Sequence, residues 1–249
     1  MNDYGYFQKI IDNLELVNQT QSENIAKAGK LMADAIAADR LISVYGGGGH
    51  TTLPVGEMFF RAGGLSCINP IMETGLSVFN QALKYLELER TVNYGSAIVK
   101  YYDLKEDDVL IIFHNIGINP ATIDAAMEAK KRGVKIIAVS SSYWQEEIPV
   151  DHFIRHPSKA NLFDFADVCI NDFNPVGDAS VIVPGLETPI APISNVVDFY
   201  IAHLLEIEAV HQCVQRGITP PVWCSANAPG GDEKNAKYLE KYGPRVKML

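Results

Sequence analysis

The stretch from Asp107 to Ser142, DDVLIIFHNIGINPATIDAAMEAKKRGVKIIAVSSS, constrains the fold more than any other. It reads as strand, short glycine-containing turn, helix, strand. The apolar run Val109–Phe113 is the first strand. Pro120 fits the first turn of the helix, where its missing N–H costs nothing. Gly133 stands where that helix must stop, directly after Lys130, Lys131 and Arg132, whose charges suit a helix C-terminus. Val134–Val139 is the second strand. Such a unit is a parallel β-α-β crossover, and its turn presents backbone N–H groups at a helix N-terminus, a natural place for an anion such as phosphate.

The rest of the chain repeats that alternation. Residues 6 to 39 have helical periodicity and give two helices or one bent helix. Leu41–Tyr45 is a strand, followed by the glycine run Gly46–Gly49, then His50, Thr51 and Thr52, and a helix from about Pro54 to Ala62. Leu65–Asn69 is a further strand, and residues 75–102 are helical with interruptions. After the crossover, Asp167–Ile170 and Ser180–Val183 read as strands, and a long apolar helix runs from about Ile193 to Arg216. The tail carries a proline-rich turn and a short helix from about Asp232 to Lys241. Apolar strands such as VLIIF and KIIAV are patterned for burial on both faces, so the expected class is α/β with a mainly parallel sheet. The expected organisation is one domain over residues 1–249: a helical arm (1–40), an α/β core (41–217) and a short C-terminal tail (218–249).

Composition excludes several roles. A net charge of −9 and a pI near 5.1 argue against a nucleic-acid surface, which needs a basic stripe. No apolar run approaches transmembrane length, so no membrane partner is expected. Cys67, Cys169, Cys213 and Cys224 are far apart and form no CxxC pair, as free thiols of a reducing compartment would. The polar start MNDYGYFQKIIDN shows no signal peptide, and a cytoplasmic setting is expected.

Two turns, Gly46–Thr52 and His114–Asn119, lie at the C-terminal end of a strand and the start of a helix. Ligands of parallel sheets bind at that edge. Glycines 47, 48 and 49 let backbone approach a ligand, and Thr51 and Thr52 offer hydroxyls to a ligand or to the helix end. A dinucleotide fingerprint fails, because glycine or alanine would be needed at 51 or 52, and GxxxxGK[ST] is absent. No cofactor is expected.

The order of elements, VYGGGGHTT, and the crossover unit together resemble the sugar isomerase (SIS) domain. EMFFRAGGLSCINPIM, NLFDFADVCINDFNPVGDA and the tail RGITPPVWCSANAPGGDEKNAKYLEKY resemble one bacterial subfamily of it, so the likeness covers nearly the whole chain. The resemblance implies a three-layer α/β/α, flavodoxin-like fold with a five-stranded parallel sheet, and binding or isomerisation of a phosphosugar. The usual phosphate loop of that family reads S-x-S-G-x-T; here the stretch is His114-Asn115-Ile116-Gly117-Ile118-Asn119. Gly117 is kept, and His114, Ile116 and Asn119 replace the hydroxyl residues. Each hydroxyl lost to a bound phosphate costs about 1.5–3 kcal/mol. Two losses would weaken binding about hundredfold or more unless a protonated His114, the loop amides, Thr122, or Ser140 and Ser141 compensate. The two serines equally suit a turn.

Aldose–ketose isomerisation needs a base near neutral pH and a second acid/base group. The resemblance implies Glu57 as candidate base on the helix after the first turn, and His203, in IAHLL, as its partner on the long C-terminal helix. The alternatives are a carboxylate complementing a helix dipole and a packed helix histidine. His203 and His211 are not a metal pair, since i,i+8 spacing puts them about 12 Å apart along the axis. His50 follows the glycines and is read as a ligand contact. His152 and His156 are read as surface or turn residues. A non-catalytic phosphosugar sensor and a SIS lyase of the muramic acid phosphate etherase type are the competing functions. Apolar surface on the terminal helices implies a homodimer or higher homo-oligomer.

Overall fold

The computed structural model describes residues 2–249. Helices α1 (Tyr6–Thr20) and α2 (Ser22–Ala37) lead into β1 (Ile42–Gly46), α3 (Thr52–Met58) and β2 (Ile68–Ile71). Two 3₁₀ turns precede α4 (Ala82–Glu89) and α5 (Tyr94–Tyr102). Then come β3 (Val109–Phe113), α6 (Pro120–Lys131), β4 (Lys135–Ser140), α7 (Ser142–Glu147) and β5 (Val168–Asn171). A small hairpin, β6 (Ala179–Val181) and β7 (Ile190–Pro192), precedes the long α8 (Ser194–Gln215) and the tail helix α9 (Gly231–Tyr242).

Strands β1 to β5 form one parallel sheet in the order β2-β1-β3-β4-β5. The expected α/β/α sandwich is therefore present. Its two cores follow from strand periodicity. Val109, Ile111 and Phe113 point to one face, where α2, α3 and α8 supply Met32, Val55, Met58, Ile201 and Leu205. Leu110 and Ile112 point to the other, against Ile98 and Val99 of α5 and the alanines of α6. All five residues of β3 are buried; full burial of each such side chain contributes about 1.5–3 kcal/mol.

Departures from the sequence reading have local causes. Residues 65–69 are strand only from Ile68, because the preceding residues face the tail instead: Leu65 stands opposite Val222 in an isolated antiparallel bridge, and the Ser66 N–H donates to the Pro221 carbonyl. The helix after the glycine run ends at Met58 and not near Ala62. Residues 179–181 do not join the main sheet; they pair antiparallel with residues 190–192. His156 is buried, its Nε2 3.3 Å from Asp124 Oδ1, where a surface or turn residue was expected. The tail motif acquires a physical role: buried Asn235 accepts from the Cys224 N–H (2.9 Å) and donates to the Cys224 carbonyl (2.8 Å), pinning the 224–230 loop to α9.

Candidate functional site

The strand order reverses direction once. From β1 the chain steps outward to β2, then returns across β1 to β3 and continues to β5. The crevice above the C-terminal ends of β1 and β3 is thus the topological switch point, where open parallel sheets bind ligands. The turns after exactly these two strands are Gly46–Thr52 and His114–Asn119. They meet there over a cavity of about 330 Å³. Gly48, Gly49, His50 and Thr51 line it from one side, and His114, Asn115, Ile116 and Asn119 from the other. Tyr85, Glu89 and Arg90 of the α4 region, Trp144 of α7, and Asp178 with Ser194 complete the wall.

The turns are held chiefly by their own side chains. The Thr51 hydroxyl donates to the Gly48 carbonyl (2.6 Å) and accepts the Gly48 N–H; the Thr52 hydroxyl donates to Gly49 (2.9 Å). Thr122 is fully buried beneath Gly47, its hydroxyl lacking a hydrogen-bond partner. Ser140 Oγ accepts from Gln145 Nε2 (3.0 Å) and donates to the Asn115 carbonyl, and Ser141 Oγ donates to the Asn174 carbonyl (2.6 Å). Both serines are buried and outside the cavity lining, as are Gly47, Thr52, Gly117 and Thr122. His50 is exposed at the rim.

His114 is the pivot. Its Nδ1 accepts the Gly117 N–H (2.9 Å), so that nitrogen carries no proton. The ring proton sits on Nε2, 3.2 Å from Glu89 Oε1. A doubly protonated imidazolium would forfeit the Gly117 bond, so the charge-assisted phosphate contact expected of His114 has no support in this geometry. Glu89 Oε2 accepts from Asn119 Nδ2 (3.2 Å). Glu89 is 5% exposed. It was not legible in the sequence: it ends an ordinary helix, and nothing local marks it.

Beneath the loop, Asn115 Nδ2 donates to two carboxylates that are fully buried, Asp172 (2.8 Å) and Asp198 (3.0 Å). Burial pushes Asp172 up to about 7. Burial, then the charge of Asp172, pushes Asp198 well above the usual carboxylate range. Asp178 receives the Ile193 and Ser194 N–H groups (3.1 and 2.9 Å) and so anchors the start of α8 at the cavity wall.

Glu57 and His203 lie against each other elsewhere. His203 Nε2 is 3.2 Å from Glu57 Oε1, and Arg61 Nε is 3.0 Å from the same oxygen. His203 Nδ1 is 3.5 Å from Glu206 Oε2, and burial raises the Glu206 carboxyl. The pair joins α3 to α8 outside the cavity lining. His203 is nine residues beyond Ser194 on α8, about 14 Å along the axis. Among the described residues, no cluster of three His, Cys, Asp or Glu side chains could hold a metal ion, and no helix is long and apolar enough to cross a membrane.

A family model described as the SIS domain matches residues 5–141. A UPF0309 protein of Thermoanaerobacter pseudethanolicus is 36% identical over 248 residues, 98% of each chain. Another, from Geobacillus kaustophilus, is 33% identical over 98% of this chain and 95% of that one. Among solved structures, the phosphoheptose isomerase of Neisseria gonorrhoeae superposes with a TM-score of 0.53 at 14% identity, covering 85% of this chain and 96% of that one. The Vibrio vulnificus NanR protein complexed with ManNAc-6P gives 0.50 at 12%, covering 97% and 69%. The two structures speak for the fold, while the family model, which spans more than half of the sequence, and the near-full-length relatives settle membership. The chain belongs to the SIS domain family.

Proposed function

We propose that the protein binds a phosphorylated sugar or a similar carbohydrate derivative in the switch-point cavity. The observation that carries the reading is the meeting of both strand-end turns, one of them glycine-rich, on a single cavity between β1 and β3. Arg90 brings a guanidinium to the same wall; its Nε is buried with no hydrogen-bond partner, and its Cζ lies 5.1 Å from the Phe153 ring centroid. Trp144 and Tyr85 supply the flat apolar surface that sugar rings favour. Structural neighbours include an isomerase of a phosphorylated heptose and a protein complexed with ManNAc-6P, which supports the same ligand class. Calorimetric titration with hexose, heptose and N-acetylhexosamine phosphates tests it. Saturable binding of one of them is expected, weakened about 10-fold or more in Arg90→Ala through loss of a charged hydrogen bond. Absence of binding across the panel refutes it.

Aldose–ketose isomerisation is the finer reading and needs an acid/base pair; Glu57 and His203 form one at 3.2 Å, but outside the cavity lining, so within one chain it does not face a ligand bound there. Interconversion of an aldose and a ketose phosphate is the result expected of an isomerase, and its loss in Glu57→Gln would move the chemistry from this cavity to the α3–α8 contact. Binding without turnover would make the protein a sensing module instead.

A further inference from the structure

The inner end of the cavity is lined with acceptors. Glu89 is a carboxylate with room for about four hydrogen bonds. It uses one on His114 Nε2 and one on Asn119 Nδ2. Both donors are neutral, and among the described residues no lysine or arginine lies within ion-pair distance of Glu89. No side-chain cation therefore offsets a negative charge there. Asn119, itself 2% exposed, directs its amide nitrogen to Glu89, which leaves its Oδ1 as a buried acceptor with no donor. Glu89 Oε1 also presses on the glycine turn: a Cβ on Gly48 would collide with it. The carboxylate thus stands between the two turns, at the N-terminal end of the 12-residue α6, where the helix dipole would otherwise draw an external anion.

We infer that Glu89 is the specificity-determining residue of this cavity: together with Asn119 it accepts hydrogen bonds from hydroxyl or ammonium donors of the carbohydrate and excludes phosphate from the 114–119 turn. The ligand's ring then faces the Glu89–His114–Asn119 cluster, and its phosphate lies outward, towards Arg90. This assignment rests on the proposed sugar-phosphate reading for the ligand class, but the exclusion of phosphate follows from the cluster alone. Glu89 also completes the internal chemistry of the site. It orients His114 through the same oxygen that closes on Gly48, so recognition and the shape of both turns depend on one side chain.

The test is a calorimetric titration of inorganic phosphate at low ionic strength against the wild-type chain, Glu89→Gln and Glu89→Ala, with folding checked by circular dichroism. Phosphate is expected to bind at least one folded variant 10-fold or more tighter than wild type. A sugar phosphate that binds wild type should instead bind the variants more weakly, so the two probes move in opposite directions. Phosphate affinity that is equal in all three proteins, absent from all three, or higher in wild type overturns the inference. Failure of every sugar phosphate, with the phosphate gain intact, would overturn the ligand class and leave Glu89 as the excluding residue. Should both variants unfold, the side-chain amide resonance of Asn119 in the wild-type protein decides: phosphate leaves it in place if the inference holds and shifts it if the inference is wrong.

Discussion

Replacing Asp198 with asparagine should stabilise the protein increasingly as pH rises. Asp198 Oδ2 accepts from Asn115, while its Oδ1 is buried with no partner. An asparagine keeps the first contact and puts a group that cannot ionise in the second oxygen's place. In the native state both Asp172 and Asp198 titrate above the usual carboxylate range, Asp172 at about 7 and Asp198 raised chiefly by burial. In the unfolded chain both ionise near pH 4. Between those limits the folded protein holds protons that the unfolded chain has released, so the pair's contribution to stability is full in acid and is lost as pH rises. One proton held differentially changes unfolding free energy by about 1.4 kcal/mol per pH unit. Asp198→Asn removes one such proton. The variant's advantage over wild type should therefore grow by about 3 kcal/mol between pH 5 and 7. Urea unfolding of both proteins at half-unit pH steps measures it. A difference that stays constant across the window would show that Asp198 is ionised in the fold, and would refute the reading of the pair.

Two further outcomes are expected. Asn235→Ala should destabilise the protein by about 2 kcal/mol, since it strips both partners from the Cys224 peptide; a change under half of that in urea unfolding would mean the loop is held elsewhere. We also propose a homodimer, supported by exposed apolar side chains such as Phe79 and Leu83, 79% and 81% accessible; sedimentation equilibrium giving the monomer mass of 27.4 kDa would refute it.

The layers of this fold were legible because they depend on periodicity. Val109–Phe113 alternates between two apolar cores, and Pro120 and Gly133 bracket its helix, so the crossover can be read to within a residue or two. Where pairing depends on distant partners, the sequence is mute. Nothing in LSCIN says that Leu65 will pair opposite Val222 and Ser66 bond to Pro221 in the tail, nor in SVIV that a hairpin partner lies at 190–192. The candidate site shows the same division. Both turns are visible from their glycines and strand ends, whereas Glu89, Tyr85, Arg90 and Trp144 reach the cavity from helices that the turn motifs do not mention. His114 was visible, but its protonated nitrogen was not, because that is fixed by the N–H of Gly117 folding back upon it.

The glycine run carries a consequence for how this sequence can drift. A side chain on Gly46 would meet the Thr51 backbone, one on Gly47 would meet Thr122 and His114, and one on Gly48 would meet Glu89. Each glycine is thus reserved by a different neighbour, and the reservations are of unequal kind. The one at Gly46 is set by backbone, which no substitution elsewhere can move. Those at Gly47 and Gly48 are set by side chains, which can shrink. Among descendants of this sequence, position 46 is locked, while 48 can gain a methyl group where the Glu89 carboxylate swings aside or residue 89 becomes smaller. Gly48 and residue 89 are thus coupled: a methyl group at 48 displaces the carboxylate from its place between the two turns.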